Sequence, residues 1–137
     1  MESKLKHLEM IQAVITRMAG NSFLLKGWSV TLVAALFALA AANANHAFVF
    51  LGYFPVFVFW LLDGFYLGQE RKFRNLYDHV RDLDADDVDF SMSTKRFCDT
   101  RSSWACACFS VTILIFHGVV FGSVVIVMLL ALTVPTS

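Results

Sequence analysis

Three apolar stretches dominate this sequence, and each is long enough to cross a lipid bilayer as a helix. They cover residues 24–43, 47–67 and 105–134, and about 20 apolar residues suffice for the ~30 Å of hydrocarbon in a bilayer. Hydrophobic residues make up 58% of the 137 residues and charged residues 16%, whereas soluble domains average roughly 45–50% and about 25%. A chain this short cannot bury that excess in a core. The sequence therefore predicts a single all-α integral membrane domain with three spans.

The three predicted spans differ in composition. Span 1 (24–43) is rich in alanine, which allows a neighbouring helix to approach closely. A short polar turn at 43–46 leads into span 2 (47–67), where Pro55 predicts a kink. Span 3 (105–134) is longer than the bilayer requires, so we expect it to tilt or to place its first turn among the lipid headgroups. It is still too short to cross the membrane twice.

The N-terminal segment 4–19 has the pattern of an amphipathic helix. Its apolar positions recur at intervals of three or four residues and are Leu8, Ile11, Ile15 and Met18. Gly20 predicts the end of this helix, and Asn21 or Ser22 can cap the next one. Two interpretations remain open: the helix lies on the inner membrane surface, or its apolar stripe packs against another helix.

A charged helix is predicted to extend span 2 into the cytosol over residues 68–84, followed by a cytosolic loop at 85–104. Its apolar positions lie on one side and are Phe73, Leu76, Tyr77 and Val80. Arg74 is four residues from both Glu70 and Asp78, and each such pair contributes only about 0.2–0.5 kcal/mol. A helix from Ala47 to Arg81 is about 50 Å long at 1.5 Å per residue. Its end therefore projects beyond the bilayer.

The basic residues are confined to two parts of the chain. All eleven lie within 1–26 or 71–101, and they are Lys4, Lys6, Arg17, Lys26, Arg71, Lys72, Arg74, Arg81, Lys95, Arg96 and Arg101. The turn at 43–46 and the tail at 135–137 contain none. Because cytoplasmic loops carry the excess of lysine and arginine, we expect the N-terminus in the cytosol and the C-terminus outside.

Lys26 and Asp63 are predicted to lie at the same depth near the inner margin of the membrane. In an antiparallel hairpin that turns between Ala44 and Asn45, residues whose numbers sum to about 89 lie opposite each other. Ionisable groups at this depth are costly unless they are paired or face water. The two residues are therefore either a structural ion pair, or Asp63 lines the inner mouth of a pore, where carboxylates favour cations.

Span 3 contains one ionisable residue, His117, near its predicted middle. A histidine at the bilayer midplane is a candidate functional residue, although a structural hydrogen bond between helices explains it equally well. Gly118 and Gly122 form a G-x-x-x-G step on an adjacent face, a spacing that allows two helices to pack closely.

The predicted cytosolic helix carries a possible site for an anionic ligand. Its basic residues are Arg71, Lys72, Arg74 and Arg81, with Phe73 and Tyr77 among them. Basic and aromatic groups together suit phosphates and stacked bases. Contact with lipid headgroups is the simpler interpretation of the same residues.

Metal binding and catalysis are not expected. The acidic run from Asp82 to Asp89 has Asp87 and Ser93 where a calcium loop needs glycine and glutamate. The three cysteines, Cys98, Cys106 and Cys108, lack the spacing of a zinc site. No glycine-rich phosphate loop or catalytic triad is present, so we predict neither a cofactor nor an enzyme.

The stretch 59–67, followed by Glu70-Arg71, Phe73-Arg74, Leu76-Tyr77 and Val80-Arg81, resembles short bacterial membrane proteins. The order of amphipathic helix, membrane hairpin and charged cytosolic helix over residues 5–81 is similar to that of SLATT-type anti-phage effectors. The resemblance implies a bacterial inner membrane location. It also implies a homo-oligomeric pore that a nucleotide or oligonucleotide gates.

These observations favour a homo-oligomeric membrane pore or membrane-disrupting effector, since helices this small cannot enclose a channel as a single copy. An alternative function is a membrane anchor or subunit that docks a soluble partner protein through residues 68–103. A small transporter is a third possibility, but the sequence contains no inverted repeat to support it.

Overall fold

Every regular element is helical in residues 1–43 and 47–133, the parts of the chain that the computed structural model describes. The helices are α1 (Glu2–Asn43), α2 (Ala47–Leu51), α3 (Tyr53–Asp82), α4 (Trp104–Cys108) and α5 (Val111–Thr133), with a 3-10 turn at Lys95–Phe97. Three segments are long and apolar enough to cross a membrane, namely α1, α2 with α3, and α5. The all-helical prediction with three candidate spans is confirmed at this level. Most of the predicted turn, residues 44–46, and the predicted end of span 3, Val134, lie outside the described residues.

The longest helices, α1 and α3, run antiparallel along much of their length. At one end Lys4 Nζ donates to the carbonyl oxygen of Arg81 at 2.8 Å and also to that of Leu83. These bonds satisfy carbonyls that the end of α3 at Asp82 leaves without helical partners. We call this end of the hairpin the basic end, because the lysines and arginines of the sequence lie toward it. The opposite end is the turn end.

Helix α1 continues through Gly20, so the predicted break between an amphipathic helix and span 1 is wrong. An exposed glycine inside a helix costs only about 1 kcal/mol relative to alanine, and packing on both sides of it outweighs that cost. Ile11 and Ile15 are 0% and 3% exposed and belong to one apolar cluster with Leu76 and Val80 of α3. Of the two interpretations of the N-terminal stripe, packing against another helix is therefore the one that the structure contains.

The helical hairpin is interrupted near Pro55, as the sequence predicts. Helix α2 ends at Leu51, Gly52 donates its amide to the Val49 carbonyl oxygen at 3.0 Å, and α3 begins at Tyr53. Pro55 has no amide hydrogen, and its ring occupies the space that the Leu51 carbonyl would need in a continuous helix. The disturbance therefore lies about one turn before the proline. From Tyr53 the helix is unbroken to Asp82, so it includes the predicted extension at 68–84 except for its last two residues.

The predicted single helix at 105–134 is wrong, because α4 and α5 are separate. Ser103 caps α4 by accepting the Cys106 amide. The chain then leaves the helix at Phe109 and Ser110, where the Trp60 indole donates to the Cys108 carbonyl oxygen at 2.8 Å. That bond supplies a donor for a carbonyl at the end of α4. As a result α5 begins only at Val111.

Two apolar clusters occupy opposite parts of the bundle. At the basic end the buried residues are Ile11, Ile15, Leu76, Val80 and Val88, the last from the segment after α3. The other cluster contains Val33, Ala40, Val49, Val56, Val120 and Val124, from α1, α2, α3 and α5. Between the two clusters lies a group of buried polar side chains.

Candidate functional site

The buried polar group is centred on the carboxylate of Asp63, whose side chain is 0% exposed. Its Oδ2 atom lies 2.5 Å from Lys26 Nζ and 3.0 Å from His117 Nε2. Its Oδ1 atom accepts a hydrogen bond from the Ser22 hydroxyl, and Ser22 in turn accepts one from Lys26 Nζ at 2.9 Å. We call these four residues the Asp63 cluster.

All three long helices contribute to the Asp63 cluster. Ser22 and Lys26 are one turn apart on α1, Asp63 lies on α3, and His117 lies in the second turn of α5. The structure thus brings Lys26 and Asp63 together at the register that the hairpin predicts. His117 is joined to them, which the sequence did not predict.

His117 does not lie at the middle of α5, because this helix starts later than the predicted span 3. Because α5 begins at Val111, His117 is only six residues from its start, about 9 Å at 1.5 Å per residue. His117 contacts Asp63, and Asp63 lies four residues before Leu67, the predicted inner end of span 2. The two side chains are therefore at the same level along the bundle. The histidine therefore lies toward the basic end of α5.

Among the three ionisable side chains of the Asp63 cluster, only that of Lys26 is substantially exposed, at 23%. Its ammonium also lies 5.8 Å from the centroid of the Phe116 ring, a favourable position for a cation over an aromatic face. Toward the turn end the cluster is followed by apolar side chains that include Val33, Val56 and Val120. The Asp63 cluster is therefore open to its surroundings beside Lys26, whereas apolar side chains cover it toward the turn end.

Two buried polar atoms near the cluster have no hydrogen-bond partner among the described residues. They are His117 Nδ1 and Ser29 Oγ, and Ser29 lies on the same face of α1 as Ser22, two turns nearer the turn end. His117 can share one proton with Asp63 through Nε2 and hold a second proton on Nδ1. With a neutral imidazole the cluster has no net charge, and with an imidazolium it carries one positive charge.

The four basic residues predicted to bind an anion do not converge on one site. Arg74 pairs with Glu70 at 2.7 Å, and Arg81 pairs with Asp78 and Asp82, both at 3.1 Å. Arg71 and Arg74 line a shallow groove, whereas Lys72 and Arg81 are not among its lining residues. The groove instead includes Arg101, which the sequence prediction did not contain.

Gly118 and Gly122 make no close helix contact with any part of residues 1–43 and 47–133, because a Cβ atom at either would meet none of their atoms within 4 Å. The close approach occurs at Gly64 and Gly68 of α3. A Cβ atom at Gly64 would lie 2.2 Å from Cys108 Sγ, and one at Gly68 would lie 3.2 Å from the Ser102 carbonyl oxygen. The same G-x-x-x-G spacing in α3 was the signal that could have located this contact.

The donor atoms of the cluster do not form a metal site. Asp63 and His117 offer an oxygen and a nitrogen, but within residues 1–43 and 47–133 no three histidine, cysteine or acidic side chains are grouped as a metal ion would require. The chemistry that these residues show is therefore that of ion pairing and hydrogen bonding.

The layout that resembles SLATT-type effectors has no counterpart in the comparisons with known proteins. No match to this chain was found among family models, curated proteins or solved structures. The resemblance stays a prediction. The Asp63 cluster is thus assigned from its own geometry and chemistry.

Proposed function

We propose that this chain is a three-span protein of the bacterial inner membrane, with its basic end in the cytosol, that assembles into a homo-oligomeric ion-conducting pore. The observation that carries the proposal is the burial of Asp63, Lys26 and His117 between all three candidate spans. Ionisable side chains inside membrane bundles are costly and commonly mark ion or proton pathways. The cluster is the ion-handling site of this pore.

The outer surface supports a location in lipid. Large apolar side chains remain exposed along the candidate spans, among them Leu24, Trp28, Phe54, Leu61, Ile115, Val119 and Leu129. Exposed apolar surface on this scale is unfavourable in water and favourable against acyl chains. All the lysines and arginines lie outside the turn end, which is the distribution expected when the basic end faces the cytosol.

Conduction requires more than one copy of the chain. Within a single copy the route from the Asp63 cluster to the turn end is filled by the apolar cluster that contains Val33, Val56 and Val124. Among the described residues, none makes a close contact with the face of α5 that carries Gly118 and Gly122, and such faces suit close packing against another helix. We therefore place the pathway at contacts between copies, with α5 among the helices that form them.

Flux measurements on reconstituted protein test this function. The wild-type protein and two variants, Asp63→Asn and Asp86→Asn, are incorporated into liposomes, and proton and potassium fluxes are recorded with fluorescent indicators. Asp86 is the control because it is an exposed acidic residue of the loop after α3. We expect flux in the wild type and in Asp86→Asn, and a decrease of about tenfold in Asp63→Asn, which corresponds to about 1.4 kcal/mol of lost ion stabilisation. Wild-type liposomes that remain tight to both ions would rule out the pore.

A membrane anchor that docks a soluble partner is the second candidate. It is favoured by a cavity of about 410 Å³ between α3 and the segment that follows it, with Leu76, His79, Asp87 and Arg96 among its lining residues. Co-purification of a stoichiometric soluble protein, together with the absence of flux, would favour this function. A role in anti-phage defence with gating by a nucleotide remains the more specific form of the pore proposal, supported only by the resemblance in layout.

A further inference from the structure

A groove of about 250 Å³ lies between the cytosolic part of α3 and the segment before α4. Its lining residues are Arg71, Arg74, Asn75, Asp78, Asp99 and Arg101. Arg71 Nη1 donates to the Arg101 carbonyl oxygen at 2.7 Å, which holds the two walls together. Three arginines therefore line one small concave surface.

Within the described residues, most of the charges in this groove already have partners. Arg74 is paired with Glu70, and Asp78 with Arg81. Asp99 is ionised, because hydrogen bonds with Ser102 hold the pKa of its carboxyl below the ordinary value. One of its two oxygens, Oδ1, already accepts a hydrogen bond from the Ser102 amide.

Two arginines in the groove lack an acidic partner. The guanidinium of Arg101 is exposed and has no partner in the part of the chain that the structure describes, and Arg71 contacts a carbonyl but no carboxylate. The groove is thus lined by two arginines without a counterion and by one carboxylate, that of Asp99, whose hydrogen-bonding capacity is partly used. Planar guanidinium groups bind phosphate oxygens with paired hydrogen bonds.

The depth of the groove matches the lipid headgroups. Arg71 is four residues beyond Leu67, the predicted inner end of span 2, or about 6 Å along the helix. The headgroup layer extends roughly 5–7 Å beyond the hydrocarbon on each side. On the membrane side of the groove, α4 crosses α3 at Gly68, and Trp104 donates its indole hydrogen to the Leu61 carbonyl oxygen at 3.0 Å. Trp104 and Leu61 are both exposed and offer apolar surface to an acyl chain.

We propose that the groove between Arg71 and Arg101 binds the phosphate group of an anionic phospholipid from the cytosolic leaflet, with its acyl chain against Trp104. A bound lipid would join α3 to the segment before α4 and so hold the cytosolic wall of the bundle in place. The inference depends on the membrane placement of the spans and not on ion conduction. The lipid and flux experiments can therefore fail independently.

Thermal unfolding in detergent, followed by tryptophan fluorescence, tests the proposal. Phosphatidylglycerol is titrated into the wild-type protein, Arg101→Gln and Lys95→Gln. Lys95→Gln is the matched control, since it removes one positive charge from the same segment at an exposed residue that does not line the groove. We expect phosphatidylglycerol to raise the unfolding temperature of the wild type and of Lys95→Gln. The apparent affinity of Arg101→Gln should be about tenfold weaker, the effect of losing one charge-assisted hydrogen bond.

Two further arms identify the source of the phosphate and guard against a folding defect. ADP carries phosphate without an acyl chain and should leave the unfolding temperature unchanged. Arg101→Lys keeps the charge but loses the planar donor pair, and should bind with intermediate affinity. If Arg101→Gln lowers the unfolding temperature even without lipid, the substitution has also weakened the fold. The lipid affinity of Arg101→Lys is then the one compared with that of the wild type. Equal lipid affinity in the wild type and both Arg101 variants would overturn the proposal, as would stabilisation by ADP alone.

Discussion

Asp63 determines the chemistry of the bundle because three side chains from two other helices point at its two oxygens. Its carboxylate is fully buried, and Lys26 and His117 approach the same oxygen, at 2.5 and 3.0 Å. Removing two charges from water is costly, and their attraction offsets the cost only when the remaining lone pairs are also satisfied. Ser22 provides that additional hydrogen bond. A polar residue that the sequence indicated only as a helix cap is therefore part of the site.

Replacing Lys26 should destabilise the protein, because the buried carboxylate of Asp63 then lacks its cationic partner. We expect Lys26→Met to reduce the free energy of unfolding in detergent by about 3–5 kcal/mol, because it leaves a buried carboxylate without its partner. The double variant Lys26→Met/Asp63→Asn should recover much of this loss, since the uncompensated charge is gone. Chemical denaturation followed by circular dichroism measures both. If Lys26→Met alone is as stable as the wild type, the pair does not hold the helices together.

At the scale of the helices, the structure shows how far periodicity alone could predict this fold. The presence of three long apolar helices followed from apolar length, and the register of the hairpin followed from the predicted turn at 43–46. The continuity of α1 through Gly20 did not, because local stop signals favoured a break, whereas the packing of Ile11 and Ile15 against α3 outweighed them. Had the stripe been followed to Ser29 and Val33, which are also buried, it would have indicated one helix.

The separation of α4 from α5 was also beyond the reach of local sequence. Residues 105–134 are predominantly apolar, so their hydropathy gives no clear sign of a break at Phe109. The break depends on distant groups, namely the Trp60 indole and the space above Gly64. The contact between His117 and Asp63 was missed for the same reason. The break determines where α5 begins, and the start of α5 determines which of its residues faces Asp63.

Gly64 is the residue that allows α4 to approach α3, and Gly118 is a natural control. We expect Gly64→Ala to destabilise the protein by about 1–3 kcal/mol, the usual cost of overpacking, because the added methyl would lie 2.2 Å from Cys108 Sγ. Gly118→Ala should leave the stability of the single chain within about 0.5 kcal/mol or raise it slightly, since nothing lies within 4 Å. Thermal unfolding in a detergent that keeps the protein monomeric compares them. Equal effects of the two substitutions would show that α4 does not pack as described.

At the scale of the whole molecule, charge and apolar surface are arranged along one axis. The basic end contains the apolar cluster around Ile11 and Leu76 and the groove with Arg71 and Arg101, the middle contains the Asp63 cluster, and the second apolar cluster lies toward the turn end. In the proposed arrangement, three crossings place Glu2 and Thr133, near the two ends of the described chain, on opposite sides of the membrane. Ion conduction, lipid binding and the orientation of the Asp63 cluster toward the cytosol all depend on that placement.

The placement is tested most directly by labelling single cysteines in intact cells with a membrane-impermeant maleimide. In a background with Cys98→Ser, Cys106→Ala and Cys108→Ala, a single cysteine is introduced as Ser3→Cys or Thr133→Cys, both at exposed helical positions near the ends of the described chain. With three crossings and the basic end inside, Thr133→Cys should react in intact spheroplasts and Ser3→Cys only after the membrane is permeabilised. Reaction of both positions from the same side would contradict the three-span arrangement.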